Sequence, residues 1–112
     1  MRIADWLFIS GTSALTNLSG TIEERIMPES FEDQAQVAFD NVEKVLAEAG
    51  ATWDDVYEIR AMLSDSGDFA RLNDIFRERI PNRGFIGHGY VTEFLAPNMK
   101  IEIEVNAYLP RG

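Results

Sequence analysis

Hydrophobic residues first repeat at helical spacing in the segment that follows Ser30. They recur every three or four positions while acidic residues fill the opposite side, as on a helix that packs one face against a core. Ser30 and Asp33 have the spacing of an N-terminal capping pair, and Gly50 stands where a left-handed C-terminal cap is favourable. The pattern predicts a helix over residues 30–49, whose apolar positions are Phe31, Ala35, Ala38, Phe39, Val42, Leu46 and Ala49.

A second segment with the same spacing covers residues 68–79. Charged residues occupy one side of it, and Pro81 follows, where the missing backbone N–H and the ring of proline end a helix. A second, shorter amphipathic helix is therefore predicted, with its apolar side formed by Phe69, Leu72, Ile75 and Phe76.

Four further segments have the alternation or the short apolar runs of β-strands. They are residues 6–10, 56–63, a stretch within 85–91, and 100–108. The second alternates imperfectly between turn residues, which predicts a strand at the edge of the core. The last is the most regular, with Ile101, Ile103 and Val105 on one face and Glu102 and Glu104 on the other.

The order strand, helix, strand, helix, strand, strand predicts an α+β fold in which two helices cover one face of a mixed sheet. No repeat or linker interrupts residues 1–112, so we expect a single domain. The strands carry more aromatic and aliphatic residues than one covered face can bury. Self-association through the uncovered face is therefore expected.

Charge and composition narrow the classes of function. The chain has ten Lys and Arg and 19 Asp and Glu, a net charge of −9, which disfavours phosphate-rich partners such as nucleic acids. With no Cys and a single His, neither a disulfide framework nor a metal site is expected. No apolar run has the length of a membrane span and no signal peptide pattern is present, which predicts a cytoplasmic protein without membrane contact.

Glu102 and Glu104 are the most prominent candidates for chemistry, because two carboxylates on one strand face need solvent or partners. They fit a solvated surface, an intersubunit salt bridge, or the wall of a polar cleft in which a carboxylate holds a water and takes its proton. Ser10 ends the first strand with no base nearby in sequence, which favours substrate contact over nucleophilic attack.

Gly87 and Gly89 flank His88 in the third strand. Glycines at alternate positions remove side chains from one strand face and make room for a ligand. If strand alternation holds, His88 points opposite to Gly87 and toward the helices, whereas a bulge at the glycines would turn it into a cleft.

Five motifs in order along nearly the whole chain resemble the Rid family (RidA/YjgF, reactive intermediate deaminases). They are Leu7-Phe8-Ile9-Ser10-Gly11, Ala47-Glu48-Ala49-Gly50-Ala51, Trp53-Asp54-Asp55-Val56, Asp68-Phe69 with Leu72-Asn73, and Ile101-Glu102-Ile103-Glu104. The resemblance implies a chorismate-mutase-like fold and a homotrimer with a cleft between each pair of subunits. There, deaminases of the family hydrolyse small reactive imines and enamines to 2-oxo acids and ammonia, with no metal or organic cofactor.

The resemblance also implies site residues. Glu102 matches the catalytic glutamate that orients water, Ser10 and Gly11 match a Ser-Gly turn that contacts substrate, and Asn73 matches a binding asparagine. The family's carboxylate-binding arginine has no match, because the position counted back from Glu102 is Gly87.

His88 and Gly89, beside that position, complete the predicted substrate-binding set, and Arg83 is an alternative source of the missing cation. The protein is thus expected to be a divergent deaminase-like hydrolase acting on an imine, an enamine or a related C–N substrate. Two alternatives remain open: a non-catalytic trimer that binds a small molecule or a protein, and a hydrolase or lyase with a larger, non-carboxylate substrate.

Overall fold

The computed structural model describes residues 2–12, 27–80 and 84–110, and for residues 10–12 it describes the backbone alone. The predicted order of elements and the α+β class are confirmed. Short 3₁₀ turns at Trp53–Asp55 and Ser66–Asp68 lead into β3 and α2. The helices and strands are β1 (Arg2–Ile3), β2 (Trp6–Thr12), α1 (Phe31–Glu48), β3 (Val56–Leu63), α2 (Phe69–Arg79), β4 (Ile86–Val91) and β5 (Ile101–Tyr108).

Both predicted ends of α1 are confirmed. The Ser30 hydroxyl accepts a hydrogen bond from the backbone N–H of Asp33 at 3.1 Å, and Gly50 adopts a φ of +76° just after the helix. Strand β1 was not predicted. It pairs with β2 through a tight turn at Ala4, whose φ is +51°, and two residues are too few for a hydrophobic pattern to show.

The sheet has the order β1-β2-β5-β3-β4, in which β3 and β4 are parallel and the other neighbours antiparallel. The expectation that residues 56–63 lie at the edge of the core is wrong, because β3 is an inner strand between β5 and β4. Its imperfect alternation has another cause. A bulge interrupts its pairing with β5 between Val56 and Glu58, and Arg60 projects from the face that no helix covers.

The two helices cover one face of the sheet and form the core with it. Ion pairs join α2 to α1: the Arg71 guanidinium donates to both carboxylate oxygens of Glu32 at 2.6 Å, and Arg79 donates to Glu43 at 2.7 Å. The buried sheet residues are Leu7, Ile9, Val56, Ile59, Ala61, Leu63, Ile101, Ile103, Val105 and Ala107, and the fully buried large helix residues include Phe39, Val42, Leu46, Leu72 and Ile75.

We call the other side of the sheet the open face, since no described helix covers it. It combines a polar centre, described below, with large apolar side chains. Trp6 packs against Tyr57 and Tyr108, and Ile86 and Tyr90 are 61% and 52% exposed. No helix in the described part of the chain is long and apolar enough to cross a membrane.

Candidate functional site

Glu102 lies on the open face near the start of β5. Its neighbours Ile101 and Ile103 are fully buried on the helix side, so the predicted alternation holds, and across the ladder Glu102 pairs in register with Met62 of β3. The Glu102 carboxylate has no ion pair or hydrogen bond with another residue that the structure describes. Its side chain is half-buried, and the carboxylate is available to bind a ligand or a water.

Glu104, two residues further on the same face, is differently placed. Its carboxylate lies 4.0 Å from the Arg60 guanidinium, which is the limit of an ion pair. Both side chains are well exposed, so this pair contributes little to stability. Strand alternation alone makes the two carboxylates equivalent, but in the structure Glu104 has a cation beside it and Glu102 has none among the described residues.

A polar cluster centred on Glu58 occupies the open face beside these carboxylates. The Asn106 amide donates to Glu58 at 2.7 Å, the His88 Nε2 lies 3.3 Å from the carboxylate, and Arg60 lies 3.6 Å from it. The hydrogen bond from Asn106, then the charges of Arg60 and His88, lower the pKa of Glu58. Glu58 was not among the predicted site residues, although its outward position in β3, next to the inward-facing Ile59, was a signal that could have identified it.

His88 does not point toward the helices, and that expectation is wrong. Alternation holds along β4, but the opposite residues face inward: Gly87 and Gly89 pair with the buried Ile59 and Ala61. The His88 ring therefore lies on the open face, where it contacts Glu58 and stacks on Tyr90 with centroids 6.4 Å apart.

The inward-facing glycines leave a space between the edge strand β4 and helix α2, which we call the edge cavity. Its volume is about 350 Å³. Three residues of the predicted set, Asn73, Gly87 and Gly89, line it, and His88 borders it between the glycines. The remaining lining residues are Ala61, Phe69, Leu72, Phe76, Arg77 and Phe85.

Ser10 and Gly11 lie within β2, at an irregularity of the sheet, rather than at the strand's end as predicted. Ile9 pairs with Val105 and Thr12 with Ile103, so two residues of β2 oppose the single residue Glu104. Such a bulge bends a strand and re-aims its side chains. The residue opposite the bulge, Glu104, is two positions along β5 from Glu102.

The predicted site residues thus fall into two groups on opposite sides of one sheet. Glu102 and the His88 ring belong to the open face, Asn73, Gly87 and Gly89 belong to the edge cavity, and the Ser10–Gly11 bulge lies in the backbone of the sheet itself. Within one subunit, a side chain at position 87 would face away from Glu102. Arg83, the alternative cation, lies outside the described residues, and among those described no cluster of three or more His, Asp and Glu could hold a metal ion.

Comparison with known proteins agrees with this architecture. Residues 1–109 match the family described as endoribonuclease L-PSP. The chain is 32% identical over 103 residues to reactive intermediate deaminase A, chloroplastic, of Arabidopsis thaliana, which covers 92% of this chain and 53% of that protein. The chain therefore spans about half the length of the Arabidopsis relative. It is 25% identical to the 2-iminobutanoate/2-iminopropanoate deaminase of Bos taurus, over 90% of this chain and 71% of the relative.

Solved structures share the fold over the whole chain. Protein YJGH superposes with a TM-score of 0.82 at 27% identity, covering 99% of this chain and 82% of that one. RidA from an Antarctic Psychrobacter superposes with a TM-score of 0.80 at 24% identity, covering 97% and 85% of the two chains, a likeness of fold alone. The family match over nearly all residues, together with these folds, shows that the chain belongs to the Rid (RidA/YjgF) family, described as endoribonuclease L-PSP and including the reactive intermediate deaminases.

Proposed function

We propose that the protein is a deaminase that hydrolyses small reactive imines or enamines in clefts between the subunits of a homotrimer, with Glu102 as the group that orients and deprotonates water. The observation that carries the proposal is the state of Glu102. Its carboxylate stands on the open face without a charged partner among the described residues, while its neighbours Glu58 and Glu104 have cations beside them.

Hydrolysis of an imine needs one group that accepts a proton from water and later gives it up. A carboxylate that accepts a hydrogen bond from water directs the water oxygen at the imine carbon and takes a proton as the C–O bond forms. The electron pair of the C=N bond moves to nitrogen, which receives a proton. Collapse of the resulting amino alcohol releases ammonia and leaves a carbonyl, so imine and water give a 2-oxo acid and ammonia, and Glu102 ends in its starting state.

The separation of the two half-sites supports a cleft between subunits. A ligand that reaches the edge cavity of one subunit cannot reach Glu102 of that same subunit, because the sheet lies between them. A second copy whose open face covers the edge cavity would bring the two groups together. The exposed Ile86 and Tyr90 beside the polar centre are the kind of apolar surface that such a contact buries.

The test is ammonia release from freshly generated 2-iminopropanoate and 2-iminobutanoate by the parent protein and two matched variants. Glu102→Gln keeps the size of the side chain but removes the base, so turnover should fall by about 100-fold or more. Glu104→Gln makes the same change two residues away on the same strand face and should retain most of the activity. Sedimentation of all three proteins checks that the assembly is unchanged.

Equal turnover by the parent and Glu102→Gln, in intact trimers, would exclude the proposed role of this glutamate. Loss of activity in Glu104→Gln alone would transfer the role to that residue. No ammonia release by the parent protein from either imine would favour the non-catalytic binding alternative, and a dimer or monomer in sedimentation would contradict the clefts between three subunits.

A further inference from the structure

The edge cavity has an aromatic wall. Phe69 and Phe76 reach it from α2, and Phe85 reaches it from the residue before β4. The Phe76 ring contacts the rings of both Phe39 and Phe85, at centroid distances of 5.4 and 6.0 Å, so the wall is continuous with the core. An apolar wall of this kind fits a hydrophobic ligand group better than a small polar one.

The two glycines of β4 determine how much room the cavity has. A Cβ at Gly87 would meet Phe85 Cε2 at 3.6 Å, an ordinary contact, so the space in front of Gly87 is empty. A Cβ at Gly89 would lie 2.8 Å from Phe69 Cε2, because the Phe69 ring rests directly on the glycine backbone. The missing side chain of Gly89 therefore allows the Phe69 ring to contact the strand, and the missing side chain of Gly87 leaves the space beside that ring empty.

The rim of the cavity is polar and comes from one ridge of α2. Phe69, Asn73 and Arg77 follow one another at intervals of four residues and so lie on the same side of the helix. The Asn73 side chain has no hydrogen bond with the described residues, and the Arg77 guanidinium has Asp74 at 3.5 Å, with both of these side chains largely exposed. An amide and a guanidinium thus stand at the mouth of an apolar space.

We propose that the edge cavity selects 2-imino acids with a bulky apolar side chain, aromatic above all, and that Arg77 and Asn73 bind the substrate carboxylate at its rim. The inference rests on the proposed deaminase function and names its substrate class. The cavity volume of about 350 Å³ is near the low end of small-molecule pockets, roughly 300–1,000 Å³, which suits one side chain of phenyl or branched aliphatic size. Arg77 then supplies the cation that position 87 lacks.

The experiment compares kcat/KM for the imines made from phenylalanine and leucine with that for 2-iminopropanoate. A single methylene in an apolar pocket changes kcat/KM roughly 10- to 200-fold, so the parent should prefer the phenylalanine-derived imine at least about tenfold.

Gly87→Ala and Gly87→Val fill the cavity in two steps without a strained backbone. The ratio of kcat/KM for the phenylalanine-derived imine to kcat/KM for 2-iminopropanoate should decrease in that order. Thr92→Val, a nearly isosteric substitution outside the cavity lining, is the control and should keep the parent's preference.

The role of Arg77 has a separate readout. Arg77→Gln should raise KM for all three imines by a similar factor while kcat changes little, and Arg77→Lys should restore part of the affinity because it keeps the charge. An unchanged KM in Arg77→Gln would overturn the assignment of the carboxylate to this rim.

Failure of the substrate class and failure of the proposed reaction give different results. Glu102-dependent ammonia release with the same preference in the parent, Gly87→Ala and Gly87→Val would overturn the cavity assignment and leave the deaminase in place. If the parent released no ammonia, calorimetry with 3-phenyl-2-oxopropanoate as the probe would still decide on the cavity: weaker binding to folded Gly87→Val supports it, and equal binding overturns it.

Discussion

Gln34 joins helix α1 to the chain that leads into the strand of Glu102, and replacing it with leucine tests that connection. The side chain is fully buried. Its amide nitrogen donates to the carbonyl oxygens of Pro28 and Asn98 at 2.8 Å, and its amide oxygen accepts from the backbone N–H of Lys100 at 2.8 Å. Leucine has nearly the same size but can make none of these three hydrogen bonds.

The expected decrease in the free energy of unfolding follows from the number of hydrogen bonds lost. Three hydrogen bonds at a net value of about 1 kcal/mol each amount to about 3 kcal/mol, and the greater apolar burial of leucine offsets about 1 kcal/mol. The free energy of unfolding of Gln34→Leu should therefore fall by about 2 kcal/mol. With a urea slope of about 1.3 kcal/mol per molar, the midpoint of denaturation decreases by about 1.5 M.

Gln36→Leu, the same substitution two residues along the same helix, is the matched control. The Gln36 side chain is only partly buried. Its amide nitrogen donates to the partly exposed Glu32 at 3.3 Å and its amide oxygen accepts from the Arg79 guanidinium at 3.0 Å, and water can replace both lost bonds. Its midpoint should move by less than half as much as that of Gln34→Leu. Equal midpoint shifts in the two variants would refute the reasoning, since they would mean that the three backbone groups find other partners.

Two further predictions concern charged groups. Arg79→Met removes the hydrogen-bonded ion pairs from α2 to Asp40 and Glu43, at 2.5 and 2.7 Å. The free energy of unfolding, measured by urea titration, should fall by about 1–2 kcal/mol. An unchanged midpoint would show that the ion pairs are no more stable than the same groups in contact with water. The pKa of Glu58 is lowered chiefly by the hydrogen bond from Asn106, so its contribution to stability is complete at neutral pH and is lost as pH falls through the ordinary glutamate pKa and then the lowered one. Asn106→Leu should therefore reduce the loss of stability between neutral and acidic pH, and an equal loss in both proteins would contradict this.

Local patterns were sufficient to predict most elements. Both main helices, the cap at Ser30 and the left-handed Gly50 follow from spacing and from single-residue backbone preferences, which act over a few residues. The same is true of the face that Glu102 shares with Glu104, because alternation along one strand depends only on that strand. The family resemblance added the candidate roles of Glu102 and Asn73.

Other features depend on contacts between distant segments. The insertion of β5 between β2 and β3 makes β3 an inner strand, and no pattern within residues 56–63 encodes its neighbours. The direction of His88 has the same origin. Alternation says that His88 and Gly87 face opposite ways, but only the pairing of Gly87 with the buried Ile59 determines which of them faces the helices.

By itself, then, the sequence determined the class of fold, the two helices, the caps of α1, four of the five strands and the family. The tertiary structure alone decided which polar residues meet: Glu58 with His88 and Asn106 on the open face, and Asn73 and Arg77 with the glycines at the edge cavity. The physical reason is the distance along the chain over which each effect acts. Helix and strand periodicity are set by backbone geometry within a few residues, whereas strand order and the facing of each strand are set by the burial of apolar surface shared by residues far apart in the chain.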